Sequence, residues 1–480
     1  MAQWKVDTPN FYGGLVPCYW ESDYPTEAVG NPNQAGKVSN IDLTSPFFVC
    51  QGAGLANLTN GTEAGSVTDL VKNIIDYVVA SDTTYGISTT KVHKISPTTV
   101  INSGGFPHAI TDATSGQGIA YYHGDIFYSY NKAAAGDVGM YDVSGDVWDD
   151  DWGSTIPTGA TALQATVPHP VIAAGNDFLY IGNGYYITSY DGTTFTEQDL
   201  DLPSDAVIQD FAWNLNRLVI AANRPDISGS KNIASLYIWD GNSTSWEDEI
   251  TVRGEVSKIY VKNNELYVFW KDASGKARLG ILDNGAVRDL ALWDGTLPEF
   301  YQVTDYKNFI LWASDGLIWA WGAADATLPP QLFQIADGGY ATVGALACPF
   351  SVPLIGSTES TSFKLAKFSG YDTSSYWRSR LYNAVTDDSD SSEGMVDKLI
   401  VNFEKLTSGA RADISLVDPN GTELWTGAIS YASDGAIHQK VFKPTARCAA
   451  FRIHISYSNG GTSATVKIKS IRVIGHDTEI

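Results

Sequence analysis

The sequence predicts an all-β chain, a β-propeller of about seven blades (roughly six is the alternative count) followed by a C-terminal β-sandwich. Three observations lead there. The composition, with 45 Gly, 12% aromatic and only 18% charged residues and 3 Met, suits turn-rich sheets better than helical bundles. An internal repeat of alternating apolar runs crosses the middle of the chain. After Trp377 that period stops, and short strands crowd together.

The repeat comes first in the argument. Five segments share a turn residue followed by an alternating apolar run: "HGDIFYSY" from 123, "GNDFLYIG" from 175, "LNRLVIAA" from 215, "NNELYVFW" from 263 and "KNFILWAS" from 307. A second series keeps step: "GMYDVSG" from 139, "ITSYDGTTF" from 187, "LYIWDGNSTSW" from 236, "LGILDNG" from 279 and "LIWAWG" from 317. The clearest unit parses into four strands: "SKIYVK", an Asn263-Asn264 turn, "ELYVFWK", the loop "DASGKA", "RLGILD", an Asn284-Gly285 turn and "AVRDLALW". Asn-Gly between alternating runs is a strong hairpin signal, because both central residues of the tight turn need positive φ. Four antiparallel strands every ~40–50 residues is the period of a propeller blade, a sheet too small to bury both faces unless it stacks on neighbours around an axis. Further units are read in "DYVVASDTTYGISTTKVHKIS" from 76 and in "GALACPFSVPLIG" with "SFKLAKFSG" between 344 and 370. Closing such a ring removes an unpaired edge, and "NIDLTSPFFVC" (40 to 50) is the expected donor of the closing strand. The stretch "AGSVTDLVKNIIDYVVA" (64 to 80) is expected as a short helix or turn leading into the first blade.

The ends differ from the middle. Residues 1–40, with "NFYGGLVPCYW" and "NPNQAG", are too few for a core of their own and are expected as an extended segment on the propeller or against a partner. Residues 41–377 are the expected propeller. Residues 378–480 carry the acidic, Ser-rich "TDDSDSSEG" and then "KLIVNFEKL", "ADISLVD", "ELWTGAIS", "QKVFKP", "AAFRIHISYS" and "TVKIKSIRVIG", with a "DPNG" turn. So many strands in so short a span imply a sandwich.

Charge narrows the function. A net charge of −23, from 54 acidic against 31 basic residues, repels nucleic acid and anionic membranes, and no Lys/Arg cluster offsets it. Specific nucleic-acid binding is excluded on that ground, while a conduit that nucleic acid passes without adhering fits. The start "MAQWKVDTPNFYGG" lacks a basic, apolar leader, and nowhere do about 18 apolar residues run together, so synthesis in a cytoplasm without membrane insertion is expected. Cys18, Cys50, Cys348 and Cys448 stand apart in sequence and read as buried free thiols.

The sequence holds no G-x-S-x-G, no H-E-x-x-H, no Walker loop and no paired-glycine dinucleotide fingerprint. No catalytic, cofactor-binding or metal-binding residue is assigned. His93, His108, His123, His169, His438, His454 and His476 are scattered, and His454 in "FRIHISY" reads as a strand side chain facing solvent or a neighbouring sheet. Two acidic stretches could offer oxygens to calcium: "GDVWDDDW" (Asp146, Asp149, Asp150, Asp151) and "DDSDSSE" (Asp387, Asp388, Asp390, Glu393). Neither has the spacing of an EF-hand loop, and both are expected as solvated loops, the second doubling as a linker. "WDGNSTSW" breaks the Ser-x-Asp-x-Gly-x-x-Trp spacing of sialidase-type boxes. Trp239, Trp246, Trp293, Trp319 and Trp321 are expected to fill the space between blades, with sugar stacking as the alternative.

Taken together, the short N-terminal segment, the "SNIDLTSP" line, irregular blades with "YDGTTF" and "WDGNSTSW" corners, and a terminal sandwich ending "KIKSIRVIG" resemble bacteriophage tail proteins. The nearest group is the β-propeller tail nozzle, tail hub and DNA-stabilisation proteins of short-tailed phages. The resemblance implies a structural virion protein without enzymatic activity or cofactor, joined in a homo-oligomeric ring and to other tail or connector proteins. DNA would pass through that ring, whose acidic lining would give it nothing to adhere to. Side-to-side ring contacts would be heterologous. The rival readings are a receptor- or carbohydrate-binding tail module and, behind it, a propeller glycan hydrolase, which needs carboxylates converging near the axis.

Overall fold

The computed structural model describes residues 3–8, 35–39, 41–44, 48–51, 53–60, 63–64, 66–156, 162–225, 232–293, 295–299, 301–325, 327–328, 330–337, 342–359, 362–372, 374–379, 381–385 and 393–478. Seven antiparallel sheets follow one another along the chain, each laid down strand by neighbouring strand. Blade 1 holds Val71–Ile74, Thr84–Ser88, Lys91–Ile95 and Val100–Ile101; blade 2 holds Ser115–Tyr122, Asp125–Asn131, Gly136–Asp142 and Val147–Asp149. Blade 3 is Val171–Ala173, Leu179–Asn183, Tyr186–Tyr190 and Phe195–Asp201; blade 4 is Val207–Asn214, Arg217–Pro225, Asn232–Trp239 and Asp248–Val252. Gly254–Lys262, Glu265–Asp272, Ala277–Asp283 and Ala286–Trp293 make blade 5, and Val303–Tyr306, Phe309–Ser314, Leu317–Gly322 and Gln331–Asp337 make blade 6. Thr342–Ala347, Leu354–Glu359 and Ser362–Tyr371 supply three strands of blade 7.

The first strand of every blade touches the first strand of the next, and Thr342–Ala347 returns to touch Val71–Ile74. The ring is therefore a closed seven-bladed β-propeller with the first strands innermost. Apolar residues fill the wedges between blades, as this geometry requires of sheets that are buried on both faces. Tyr180, Phe211, Tyr237 and Trp239 pack between blades 3 and 4, and Phe269, Trp293, Trp312 and Trp319 between blades 5 and 6. The turns follow the local chemistry: Asn263 and Asn264 have φ of 53° and 64°, and Asn284 and Gly285 have 50° and 78°, the left-handed pairs that the hairpins of blade 5 need.

Two expectations are corrected, and a third holds in part. The closing strand of blade 7 is Ala53–Asn57, paired with Ser362–Tyr371, and not the 40 to 50 stretch. That stretch instead forms a short ladder, Ile41–Asp42 with Cys50–Gln51, and Val49 bridges to Ile468 far along the chain. Where a helix or turn was expected before the first blade, Val71–Ile74 is the inner strand itself; its Val71 and Ile74 are buried between blades, and strand pairing wins over helical spacing. The N-terminal segment, in its described part, touches the propeller where Ala35–Ser39 meets Gln331–Asp337 of blade 6, but its strands pair elsewhere.

It belongs to the sandwich. One sheet runs Gln3–Thr8, Ile468–Asp477, Gly394–Phe403 and Gln439–Phe442, with Ala446–Cys448 beside the third strand. The facing sheet runs Ala35–Ser39, Tyr376–Ser379, Ala450–Ser456, Arg411–Val417 and Glu423–Ser430, with Tyr382–Asn383 beside the third strand. Tyr376–Ser379 thus already lies in the sandwich, just before the expected boundary at 378. Within Gly394–Phe403, Leu399, Val401 and Phe403 alternate into the core as a period-two strand should, and a register shift after Val396, itself buried, resets the phase. That core is continuous through Ile41 and Leu43 with the apolar filling of blades 6 and 7, so the sandwich is docked against the last two blades.

Candidate functional site

The inner strands leave a bore along the propeller axis. A cavity of about 250 Å³ lies there, lined by residues from all seven blades, among them Asn73, Ile119, Val171, Phe211, Tyr260, Val303 and Leu346. This is just under the scale of a small-molecule site and far below the girth of a DNA duplex.

Charged side chains of the inner strands pair across blades, and of these Lys258, Asp210 and Asp76 line the bore. On the inner strand of blade 5, Lys258, Tyr260 and Lys262 alternate onto one face. Lys258 Nζ stands 2.9 Å from Asp210 Oδ2 of blade 4, whose second donor is the Ile259 N–H at 3.0 Å. Burial raises the Asp210 carboxyl above its ordinary value, with the Lys258 ammonium opposing the shift. Lys262 Nζ lies 2.9 Å from Asp305 Oδ1 of blade 6. At the mouth, Asp76 of blade 1 accepts the Thr304 hydroxyl of blade 6 at 2.7 Å and the Cys348 N–H of blade 7. Asp76 keeps a solvent-facing surface, yet protein flanks its carboxyl closely enough that burial pushes it up to about 6, against those two hydrogen bonds. The Cys348 thiol is raised to about 12 by burial and then by Asp76 and Asp305, so it stays protonated. The bore can hold a small polar molecule. Among the described residues no three His, Cys, Asp or Glu side chains are grouped to hold a metal.

A second cavity, about 510 Å³, opens between blades 5 and 6 on the face that carries the Asn263 and Asn308 turns. The rings of Tyr267 and Trp321 stand 5.8 Å apart in its wall, and Tyr267 donates its hydroxyl to Glu265 at 2.6 Å. Arg288 and Asn308 complete a polar rim.

The residues weighed from sequence have structural partners. Asp150 is the hub of blade 2: His108 Nε2 (2.9 Å), the Tyr128 hydroxyl (2.6 Å) and the N–H and hydroxyl of Thr111 (both 2.8 Å) converge on it. Burial raises this carboxyl, but the hydrogen bonds outweigh burial and hold it well below the usual range. Asp150 departs from the expected solvated acidic loop, being turned inward, while Asp146 is exposed and Asp151 half-exposed as expected. Asp151 and Asp137 share Lys132 at 2.5 and 2.9 Å, and Asp146 accepts the Tyr141 hydroxyl at 2.9 Å. Glu393 pairs with Arg447 at 2.7 Å, while Asp387, Asp388 and Asp390 lie outside the described residues.

Trp239, Trp293 and Trp319 are buried between blades, and Trp246 and Trp321 are half-buried. His454 is half-buried beside the Tyr376 ring at 5.6 Å, and burial, helped by Arg378, lowers it to about 4. Fully buried His169 faces the Gly182 carbonyl at 2.8 Å and the Gln164 carbonyl at 2.9 Å. Cys50 and Cys448 are buried free thiols, Cys348 is half-buried, and Cys18 lies outside the described residues. Sequence reading missed Asp76, Asp210, Lys258, Lys262 and Asp305. Its available signal was a charge inside an apolar run, in "VIQDFAW" and "SKIYVK", where a strand buried on both faces has no room for an unpaired ion.

No described helix is long and apolar enough to cross a membrane. No protein-family model and no curated protein matches the chain. Similar solved structures include the extracellular domain of a hybrid two-component system from B. thetaiotaomicron, with a TM-score of 0.46 at 12% identity over 75% of this chain and 44% of that one. The PQQ-bound form of aldose sugar dehydrogenase from Streptomyces coelicolor gives 0.39 at 11% identity, over 66% and 98% of the two chains. A chain of the mitotic checkpoint complex gives 0.44 at 15% identity, over 66% and 93%. The match thus spans under half the length of the first of these, and likenesses this distant concern the fold alone, bringing no activity to the chain.

Proposed function

We propose that the chain is a structural protein of a bacteriophage tail, one subunit of a homo-oligomeric nozzle or hub ring beside the path by which DNA leaves the particle. The observation that carries this reading is the net charge of −23 on a scaffold whose inner-strand ions are paired between blades. A wall of such subunits repels the phosphate backbone at every point, which lets DNA slide past without adhering. The axial cavity, at about 250 Å³, is too small for a duplex, so this reading takes the conduit to be formed by several subunits together. The reading assigns no catalytic reaction to the chain.

Cryo-electron microscopy of the native particle, with antibody labelling of this chain, tests the proposal. A symmetric ring of copies around the tail axis is expected. Label found only off the virion, or purified chain and particle both showing isolated monomers, would sink it.

A further inference from the structure

We propose that the cleft between blades 5 and 6 binds a neutral saccharide of one or two rings. At about 510 Å³ it falls within the range of small-molecule sites, and it is twice as large as the axial cavity of about 250 Å³. Its wall offers an aromatic platform. Trp321 is only half-buried, unlike Trp293 and Trp319 nearby, and Tyr267 packs against it at 5.8 Å and fixes its attitude. The C–H face of a pyranose ring is apolar and covers such an indole, while its equatorial hydroxyls stay at the rim.

The rim matches hydroxyls, which both donate and accept. Asn263, Asn308 and Arg288 supply donors, and Glu265, which takes the Tyr267 hydroxyl on Oε2, has a second oxygen to accept with. One of these groups is set before any ligand arrives: Asn308 Nδ2 donates to the Ala324 carbonyl at 3.2 Å. Such preorganisation lowers the entropic cost of binding.

Charge points to a neutral ligand. Lys262 is matched by Asp305 at 2.9 Å, and Arg288 has Asp283 at 3.5 Å. With both cations compensated, the cleft has no surplus positive charge to draw a phosphate or a uronate, and the rest of the protein, at −23, repels one. The inference does not depend on the tail assignment, because it rests on this cleft alone.

The test uses the full chain with methyl glucoside, methyl galactoside, methyl mannoside, N-acetylglucosamine, cellobiose and lactose, alongside glucuronate and N-acetylneuraminate. Saturation-transfer NMR and tryptophan fluorescence are read up to about 20 mM ligand. At least one neutral sugar is expected to bind in the millimolar range, with Trp321→Leu weakening it by about tenfold or more and Arg288→Ala by roughly threefold. Thermal melting checks the fold of each variant, and if Trp321→Leu does not fold, Arg288→Ala and Asn308→Ala carry the comparison. Silence from every neutral sugar, binding of the acidic sugars alone, or unchanged affinity in all folded variants would each overturn the proposal.

Discussion

Lys258 Nζ and Asp210 Oδ2 stand 2.9 Å apart across the boundary between blades 4 and 5, with side chains only 13% and 5% exposed. A buried pair of this kind adds little over an apolar pair, but either ion left alone is costly. Lys258→Met should therefore destabilise the fold by about 3–5 kcal/mol, and adding Asp210→Leu should recover much of that loss. Urea midpoints of the two single variants and the double variant check this; additive losses would contradict it.

His93 supplies a pH dependence. It is buried within blade 1 at 3.1 Å from the Ser88 hydroxyl, and burial lowers its pKa to about 4 from an ordinary 6.5. Between those values the unfolded chain binds the proton and the folded chain does not. The contribution is thus complete above pH 6.5 and is lost as pH falls toward 4, amounting to about 3 kcal/mol. In His93→Gln the stability lost between pH 7 and pH 4 should shrink by that order, as measured by denaturant unfolding at both pH values.

Closure of the ring depends on a close backbone approach. A Cβ placed on Gly54 would meet the Ser369 carbonyl oxygen at 2.7 Å and Tyr371 backbone atoms at 3.1 Å. Gly54→Val should push the closing strand off blade 7 at a cost of about 1–3 kcal/mol. Faster amide exchange at Ala56 and Asn57, with blade 4 amides unchanged, is the expected signature; uniform exchange across all blades would contradict it.

Trp239 fills the wedge between blades 3 and 4, fully buried, edge-on to Tyr180 at 5.5 Å, with its indole N–H donated to the Ser243 carbonyl at 2.7 Å. Trp239→Ala should lower stability by about 3–5 kcal/mol. Calorimetry decides between this and the mild change of under about 0.5 kcal/mol expected of an exposed residue.

The propeller was legible because its evidence is local. Each hairpin writes its alternation and turn within a few residues, and Asn284-Gly285 states its own backbone geometry. What the sequence concealed were pairings between distant strands. "QWKVDT" alternates Trp4 and Val6, but six residues cannot say that their partner is Ile468–Asp477. Asp210 and Lys258 each read as a charge within an inner strand, and only the circular arrangement sets one against the other. The cleft residues Asn263, Asn308 and Trp321 likewise come from separate hairpins, and their convergence is a property of adjacent blades.

Gln3 lies directly opposite His476, in strands that run antiparallel through the same sheet, with Asp7 joined to Arg472 at 2.6 Å. The polypeptide leaves the sandwich after Ala35–Ser39, builds the whole ring, re-enters at Tyr376–Ser379 beside the strand it left, and later lays Ile468–Asp477 along Gln3–Thr8. Topologically the ring is a large excursion inserted into a smaller host, and tension applied to both ends would unzip that one ladder, residue pair by residue pair, before any load reached a blade.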